Sequence, residues 1–414
     1  MGAGGIGEAF ADRNFRIYSI GAIVSWLSFF IQLVAVSWTA WKLTGSTGWL
    51  AIIAALDIAP NLILAPLGGV LADRYDRFTI VFITMSLALL QALALTLLAH
   101  FDALTIGWLG VLAVAHGAIH SFSVPAFMGN LPRFVERKRL ASAIAVSSAY
   151  TQFAIFAGPA MGGWLIANHG VESAFLSNVL GYAIYLCTIA FLRTPPDFRQ
   201  PGPSGRSLWG DWIDGLRYIA GHRGISTVLT LMLAGDALSA ALTNMLPAYA
   251  ATILGLGVGG MTSLLSAAGL GATFAALWLA HGGAGRATPG NVLWAFLAVA
   301  LAVAALMFAN TLLVALAIML LYGMAGEVRR TSAMSLLQIA VSESQRGRLM
   351  SAQFLLQRVA GGIAALAVGL SAQISGLRAP MWIGAALCVG VWLIAWRRRA
   401  RIAAAFTPAA ARAA

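Results

Sequence analysis

The chain has 414 residues, of which 60% are apolar and only 10% are charged. A soluble chain carries about 25% charged residues, so this composition excludes a soluble globular enzyme, a disordered chain and a disulfide scaffold. The net charge of +12 is scattered between apolar runs rather than massed on one face, which points to membrane orientation and not to nucleic acid as a partner.

A membrane-spanning helix needs about 20 mostly apolar residues. Twelve need about 240, close to the 60% of 414 that the chain supplies. In chain order, spans are predicted over 15–41, 49–71, 78–99, 104–128, 140–167, 172–192, 224–253, 258–280, 289–309, 311–329, 348–374 and 379–396. Helices are expected because lipid leaves free backbone groups without partners. Barrel strands would alternate apolar and polar residues, which the run Leu87–Leu98 does not do. The fold class is therefore all-α integral membrane. Cys187 and Cys388 lie inside apolar runs, so no disulfide is expected. The first run follows Arg13 and Arg16 and is too long for the apolar core of a cleavable signal.

Lys and Arg set the orientation. Of the 26, 23 fall in segments on one side, two (Lys42 and Arg378) fall on the other, and Arg358 lies within a span. This split implies an even number of spans with both termini in the cytoplasm. The longest connection, 193–223, opens with Pro195, Pro196, Pro201 and Pro203. It continues with Trp209, Trp212, Ile213, Leu216 and Ile219 near helical spacing. It is either an amphipathic helix on the membrane surface or a plain linker. It divides the chain into a six-helix bundle over 1–192 and a second over 224–414, the latter with a basic tail.

The halves read as repeats. Arg139-Leu140-Ala141-Ser142-Ala143 opens span 5, and Arg348-Leu349-Met350-Ser351-Ala352 opens span 11. Leu71-Ala72-Asp73 closes span 2, and Leu279-Ala280-His281 closes span 8. The two offsets differ by a single residue and each match sits at the equivalent span end, the mark of a duplicated bundle.

The loop Gly68-Gly69-Val70-Leu71-Ala72-Asp73-Arg74-Tyr75-Asp76-Arg77 resembles the signature loop of the major facilitator superfamily, both in sequence and in its place after span 2. It departs in carrying Asp76 where the family often has Gly. Asn14-Phe15-Arg16-Ile17-Tyr18, Gly158-Pro159-Ala160-Met161-Gly162-Gly163 and Arg346-Gly347-Arg348 are similar to the drug, macrolide and siderophore exporter branch, the enterobactin-exporter-like proton antiporters. The resemblance covers essentially the whole chain. It implies two pseudo-symmetric six-helix bundles working as a monomer by alternating access in the bacterial inner (plasma) membrane, with small molecules and protons as partners and no cofactor.

The resemblance also implies a conformational latch at Gly69, Asp73, Arg74 and Arg77. In physical terms, Asp73 ends span 2 on the side where span 11 begins, and a helix start offers free N–H donors and partial positive charge. The alternative is that Arg74 and Arg77 merely hold the loop inside. At Gly158, Pro159, Gly162 and Gly163 proline opens a helix hydrogen bond and glycine permits close approach. The resemblance links this segment to antiport; tight packing is the other reading.

Ionisable residues at mid-depth are functional candidates because charge in lipid costs several kcal/mol unless paired. Asp57, Asp236 and Arg358 are predicted there from their positions along spans 2, 7 and 11. The superfamily arrangement makes Asp57–Arg358 an interdomain pair, with Asp236–Arg358 as its rival. A carboxylate whose partner leaves as the bundles rock takes up a proton, coupling export to proton entry; a static pair would only stiffen one bundle. His116 and His120 share a face at i, i+4, fitting a proton relay, polar substrate contact or a packed pair, with no metal expected. Glu327, followed by Arg329 and Arg330, is expected to form a charge cluster at the inner end of span 10. Trp26, Gln32, Tyr150, Gln152, Asn244, Gln353 and Gln357 are candidate cavity residues, and their aromatic character suits bulky amphipathic solutes.

The expected function is proton-coupled export of drug- or siderophore-like molecules, with a lysolipid flippase as the alternative. A membrane-embedded enzyme lacks H-E-x-x-H, G-x-S-x-G or a phosphate loop. A transporter-like sensor would need a sizeable cytoplasmic domain.

Overall fold

The computed structural model describes residues 10–128, 134–136, 139–192, 222–282, 288–341, 343–400 and 406. Twelve long helices and no strand occur among them. They are α1 (Arg13–Thr44), α2 (Thr47–Arg74), α3 (Arg77–His100), α4 (Ile106–Met128), α5 (Leu140–His169) and α6 (Val171–Ala190), then α7 (Arg223–Thr252), α8 (Val258–Gly282), α9 (Pro289–Leu306), α10 (Leu312–Ala340), α11 (Glu343–Ser375) and α12 (Arg378–Arg397). Eleven are long and apolar enough to cross a membrane. The other is α5, an uncharged helix of 30 residues.

The helices are polar-poor on the outside. Ile63, Leu313 and Ile374 are among many large apolar side chains left exposed, as expected where lipid replaces water. Hydroxyls on these helices donate back to the preceding turn: Thr84 Oγ1 to the Ile80 carbonyl at 2.8 Å, Ser148 Oγ to Ile144 at 3.0 Å and Ser371 Oγ to Ala367 at 2.5 Å. Each hydroxyl is thereby satisfied without water.

The residues cluster into two compact units. One takes α1, α3 to α6, α2 from Ile53 onward and the segment Gly257–Ser266. The other takes Ser46–Ile52, α7 with its end to Leu256, α8 from Ala267 onward and α9 to α12. Within the first, the packed pairs are α1 with α4, α5 and α6, α3 with α4 and α6, and α5 with α6. Adding six to each label gives α7 with α10, α11 and α12, α9 with α10 and α12, and α11 with α12, all of which pack in the second. The repeat read from two short sequence matches is thus repeated in helix packing.

α1 and α7 are the hubs. In the first unit, added side chains at Gly158 and Gly162 of α5 would press on Phe30 and Ile31 of α1, so these glycines set the close α1–α5 approach. Pro159 sits between them inside an α5 that runs on to His169. Gly163 leaves room for the Thr262 side chain of the same unit. Phe15, Tyr18 and Tyr185 are buried together with Phe134 and Tyr150 at one end of this bundle. In the second unit the fully buried Tyr249 of α7 donates to the carbonyls of Leu306 and Ala309 at 2.8 and 3.1 Å. That bond fixes α7 against the end of α9.

Two predicted boundaries move by five residues or more. Span 10 was expected to end at 329, but α10 continues to Ala340, and α11 starts at Glu343 rather than 348. The reason is that Arg329 is not a loop charge. It is buried and paired inside the bundle, so the helix carries it without cost in exposed polar groups. Arg329 accordingly leaves the cytoplasmic charge count. The connection 193–223 lies outside the described residues apart from its last two.

Candidate functional site: two charge centres

The first unit carries Asp57 on α2. Its Oδ1 is 2.6 Å from Nδ1 of His116 on α4, within hydrogen-bonding distance. The close helix approach that allows this comes from Gly117, where a Cβ would overlap the Asp57 carbonyl. The pair is open to one side: the Asp57 side chain is 38% exposed and that of His116 15%. An aromatic group surrounds it. The Phe29 ring lies 6.0 Å from His116 at an interplanar angle of 24° and 5.3 Å from His120, and the two histidine rings are 5.2 Å apart. Trp26 and Phe30 extend the group at 5.9 and 5.3 Å from Phe29. Nearby on the same hub, Gln32 Nε2 donates to Gln91 Oε1 at 3.4 Å, and Gln91 Nε2 to the Leu112 carbonyl at 3.3 Å.

The second unit carries a different kind of centre. Asp236 Oδ1 of α7 accepts from Arg329 Nη2 of α10 at 2.5 Å, and Arg329 Nη1 donates to the Met232 carbonyl at 2.8 Å. Both groups are sealed, at 10% and 2% side-chain exposure. Gly235 makes the space, since a Cβ there would stand 2.8 Å from the guanidinium carbon. Arg329 Nε and Asp236 Oδ2 are buried without a hydrogen-bond partner. Two residues before Arg329 on α10, the buried Glu327 accepts from Arg330 Nη2 and Thr331 Oγ1, both at 2.6 Å.

The sequence places Asp57, His116 and His120 correctly as neighbours of one another only in part: the histidine pair was expected, the Asp57–His116 bond was not. For Asp236 the cation in place is Arg329, where Arg358 was weighed. Arg358 lies 5.3 Å over the Phe354 ring. The expected Glu327 cluster divides, with Arg330 turning to Glu327 and Arg329 turning inward to Asp236. Gln353 and Gln357 bond each other at 3.1 Å. Tyr150 donates to Ser147 Oγ at 3.1 Å, and Asn244 donates to the Ala240 carbonyl of its own helix at 2.9 Å. Trp26 joins the aromatic group, while Gln152 is half-buried.

Asp76, the departure from the signature loop, caps α3, accepting from Thr79 N at 3.0 Å and Thr79 Oγ1 at 3.1 Å. Arg77 opens that helix. Gly69 and the side chains of Asp73 and Arg74 fall outside what is described, as do the side chains of 343–348, so the expected latch stays an expectation. No three His, Cys, Asp or Glu side chains converge as a metal set among the described residues.

The twelve helices among the described residues, in two bundles that repeat one another's packing and each hold charged groups at mid-helix, define a polytopic membrane transporter of the major facilitator class. The chain belongs to the transmembrane secretion effector family, whose model matches residues 8–411. It is 26% identical over 60% of its length to the enterobactin exporter EntS of Citrobacter koseri, covering 62% of that protein. It is 24% identical over 45% of its length to macrolide efflux protein A of Streptococcus pyogenes and 23% identical over 42% to the staphyloferrin A transporter of Staphylococcus aureus, covering 47% and 44% of those proteins. The matches thus span about half the length of these relatives. In fold it is similar to a bacterial homologue of the human lysosomal transporter Spinster, with a TM-score of 0.73 at 14% identity over 96% of this chain and 98% of that one. The fucose:proton symporter FucP of E. coli is similar at a TM-score of 0.60 and 17% identity over 93% of this chain and 98% of that one. Family membership places the chain among transporters, not enzymes.

Proposed function

We propose that the protein exports amphipathic small molecules, drug- or siderophore-like, across the bacterial inner membrane in exchange for protons. It works as a monomer by alternating access with both termini in the cytoplasm. The observation that carries the reading is the Asp57–His116 pair: a carboxylate and an imidazole 2.6 Å apart, partly open, beside an aromatic group. Both members can take and release a proton. The rings of Trp26, Phe29 and Phe30 offer apolar contact to a bulky solute. The relatives' names, an enterobactin exporter and a macrolide efflux protein, support the class of cargo.

Substrate-driven proton movement in vesicles made with the purified protein tests this, with a macrolide and a siderophore as probes. Asp57→Asn is expected to abolish the coupled movement while inserting normally. Unchanged movement in that variant makes Asp57 structural. Passage of phospholipid analogues without a proton gradient replaces the exporter with a flippase.

A further inference from the structure

Outside both charge centres, the second unit carries an apolar groove of about 640 Å³ on the α9–α10 surface, running from Asn291 and Trp294 past Leu301 on one wall and along Leu321, Met324 and Val328 on the other. Trp294, Leu301 and Leu321 are each more than half exposed, so no protein side chain of the unit fills it. Between Asn291 and Ala305 it follows α9 for about 20 Å at ~1.5 Å per residue. One leaflet of hydrocarbon is about 15 Å deep, half of ~30 Å.

The mouth of the groove differs from the rest. Trp294 packs at 5.7 Å from Trp392 and 5.0 Å from Trp396, and those two rings stack at 5.3 Å. The Arg399 guanidinium lies 4.6 Å over the Trp396 ring. Arg397, Arg398 and Arg399 are consecutive and exposed at the end of α12, and no Asp or Glu occurs between Asn291 and the C-terminus except Glu327 and Glu343. Glu327 is held by Arg330. An acyl-sized groove therefore ends at a triple cation and an aromatic belt.

We infer that this is a binding site for one anionic phospholipid, its acyl chain in the α9–α10 groove and its phosphate-bearing headgroup at Arg397, Arg398 and Arg399. Each arginine near a lipid surface attracts anionic headgroups, and the tryptophans suit the headgroup boundary. The site is independent of the transport reading, since it uses none of the residues assigned to coupling.

The test is native mass spectrometry of the full-length purified chain with phosphatidylglycerol and phosphatidylcholine of identical acyl chains. One phosphatidylglycerol is expected to be retained, with at least a tenfold preference over phosphatidylcholine. In the triple variant R397Q/R398Q/R399Q its affinity is expected to fall about a hundredfold, at roughly fivefold per charge, and the preference to vanish. Ala298→Leu, which fills the groove floor, and separately the exposed Trp294→Ala are expected to weaken both lipids alike without changing the unfolding temperature by more than a few degrees. Glycerol 3-phosphate is expected not to displace the lipid. Equal retention of the two lipids, an unaltered preference in the triple variant, or displacement by glycerol 3-phosphate alone each overturns the assignment.

Discussion

Replacing Arg329 by methionine tests whether the charge centre of the second unit is a coupled pair. The substitution leaves the Asp236 carboxylate in place at 10% exposure, having lost its bond from Arg329 Nη2, with Oδ2 already unpartnered. Breaking a buried pair from one side costs about 3–5 kcal/mol. A unit of about 200 residues loses roughly 2–4 °C of unfolding temperature per kcal/mol, so the expected drop is about 6–20 °C. Asp236→Leu strands the guanidinium instead, with only the Met232 carbonyl to hold it, and is expected to fall by a similar amount. The double variant should behave differently. It removes both charges and also the two orphaned atoms, Arg329 Nε and Asp236 Oδ2, each of which costs about 1–3 kcal/mol in the parent. It is expected to recover most of the lost stability. Thermal unfolding in detergent, followed by intrinsic fluorescence of the 13 tryptophans, gives all four corners of the cycle. Single variants within about 2 °C of the parent, or a double variant falling by the sum of the singles, would refute the reasoning.

Three further outcomes follow from individual contacts. Gly117→Ala puts a methyl against the Asp57 backbone carbonyl, which cannot turn aside. α2 and α4 must part, at a cost of about 1–3 kcal/mol, and substrate-driven proton movement is expected to fall with that of Asp57→Asn while the protein still inserts; normal movement would uncouple the helix contact from the pair. Tyr249→Phe removes the donor to Leu306 and Ala309 and is expected to cost about 1–3 kcal/mol, read as a lower unfolding temperature. Asp76→Ala is expected to cost about 1 kcal/mol and Asp76→Gly only a few tenths. A larger loss with glycine than with alanine would show that Asp76 does something other than cap α3.

Composition and periodic charge made the membrane class, the span count and the duplicated bundle readable, because these depend on sums over many residues. Pairings were harder. Asp57 stood out in an apolar run, yet nothing in the spacing of Asp57 and His116 says that α2 and α4 pack; the glycine at 117, next to the histidine, was the available signal. Arg329 was misread because two adjacent arginines resemble a loop. The ten residues after Arg330, Thr331 to Ala340, contain no charge, Pro or Gly; that continuing helical run could have kept Arg329 inside. Arg358 was weighed as the partner of Asp236 because it was the only cation read as lying within a span, and with Arg329 restored to α10 that premise no longer holds.

The two centres differ in what they can exchange. In the second unit Asp236 is bonded to a guanidinium, a group that does not give up its charge in proteins. A proton delivered to Asp236 would leave Arg329 as an unpaired cation at 2% exposure, so this pair resists proton traffic and suits a fixed role in holding α7 to α10. In the first unit the partner of Asp57 is an imidazole, which accepts or releases a proton itself, and the carboxylate is about four times as exposed as Asp236. A proton passing between Asp57 and His116 moves between two groups that can each hold it. On this argument Asp57→Asn and His116→Asn both stop coupled movement, whereas Asp236→Asn lowers stability first and slows movement only in proportion to the protein lost. Measuring proton movement per folded molecule, rather than per vesicle, separates the two. If Asp236→Asn abolishes movement in protein that unfolds at the parent's temperature, the roles assigned to the two carboxylates must be exchanged.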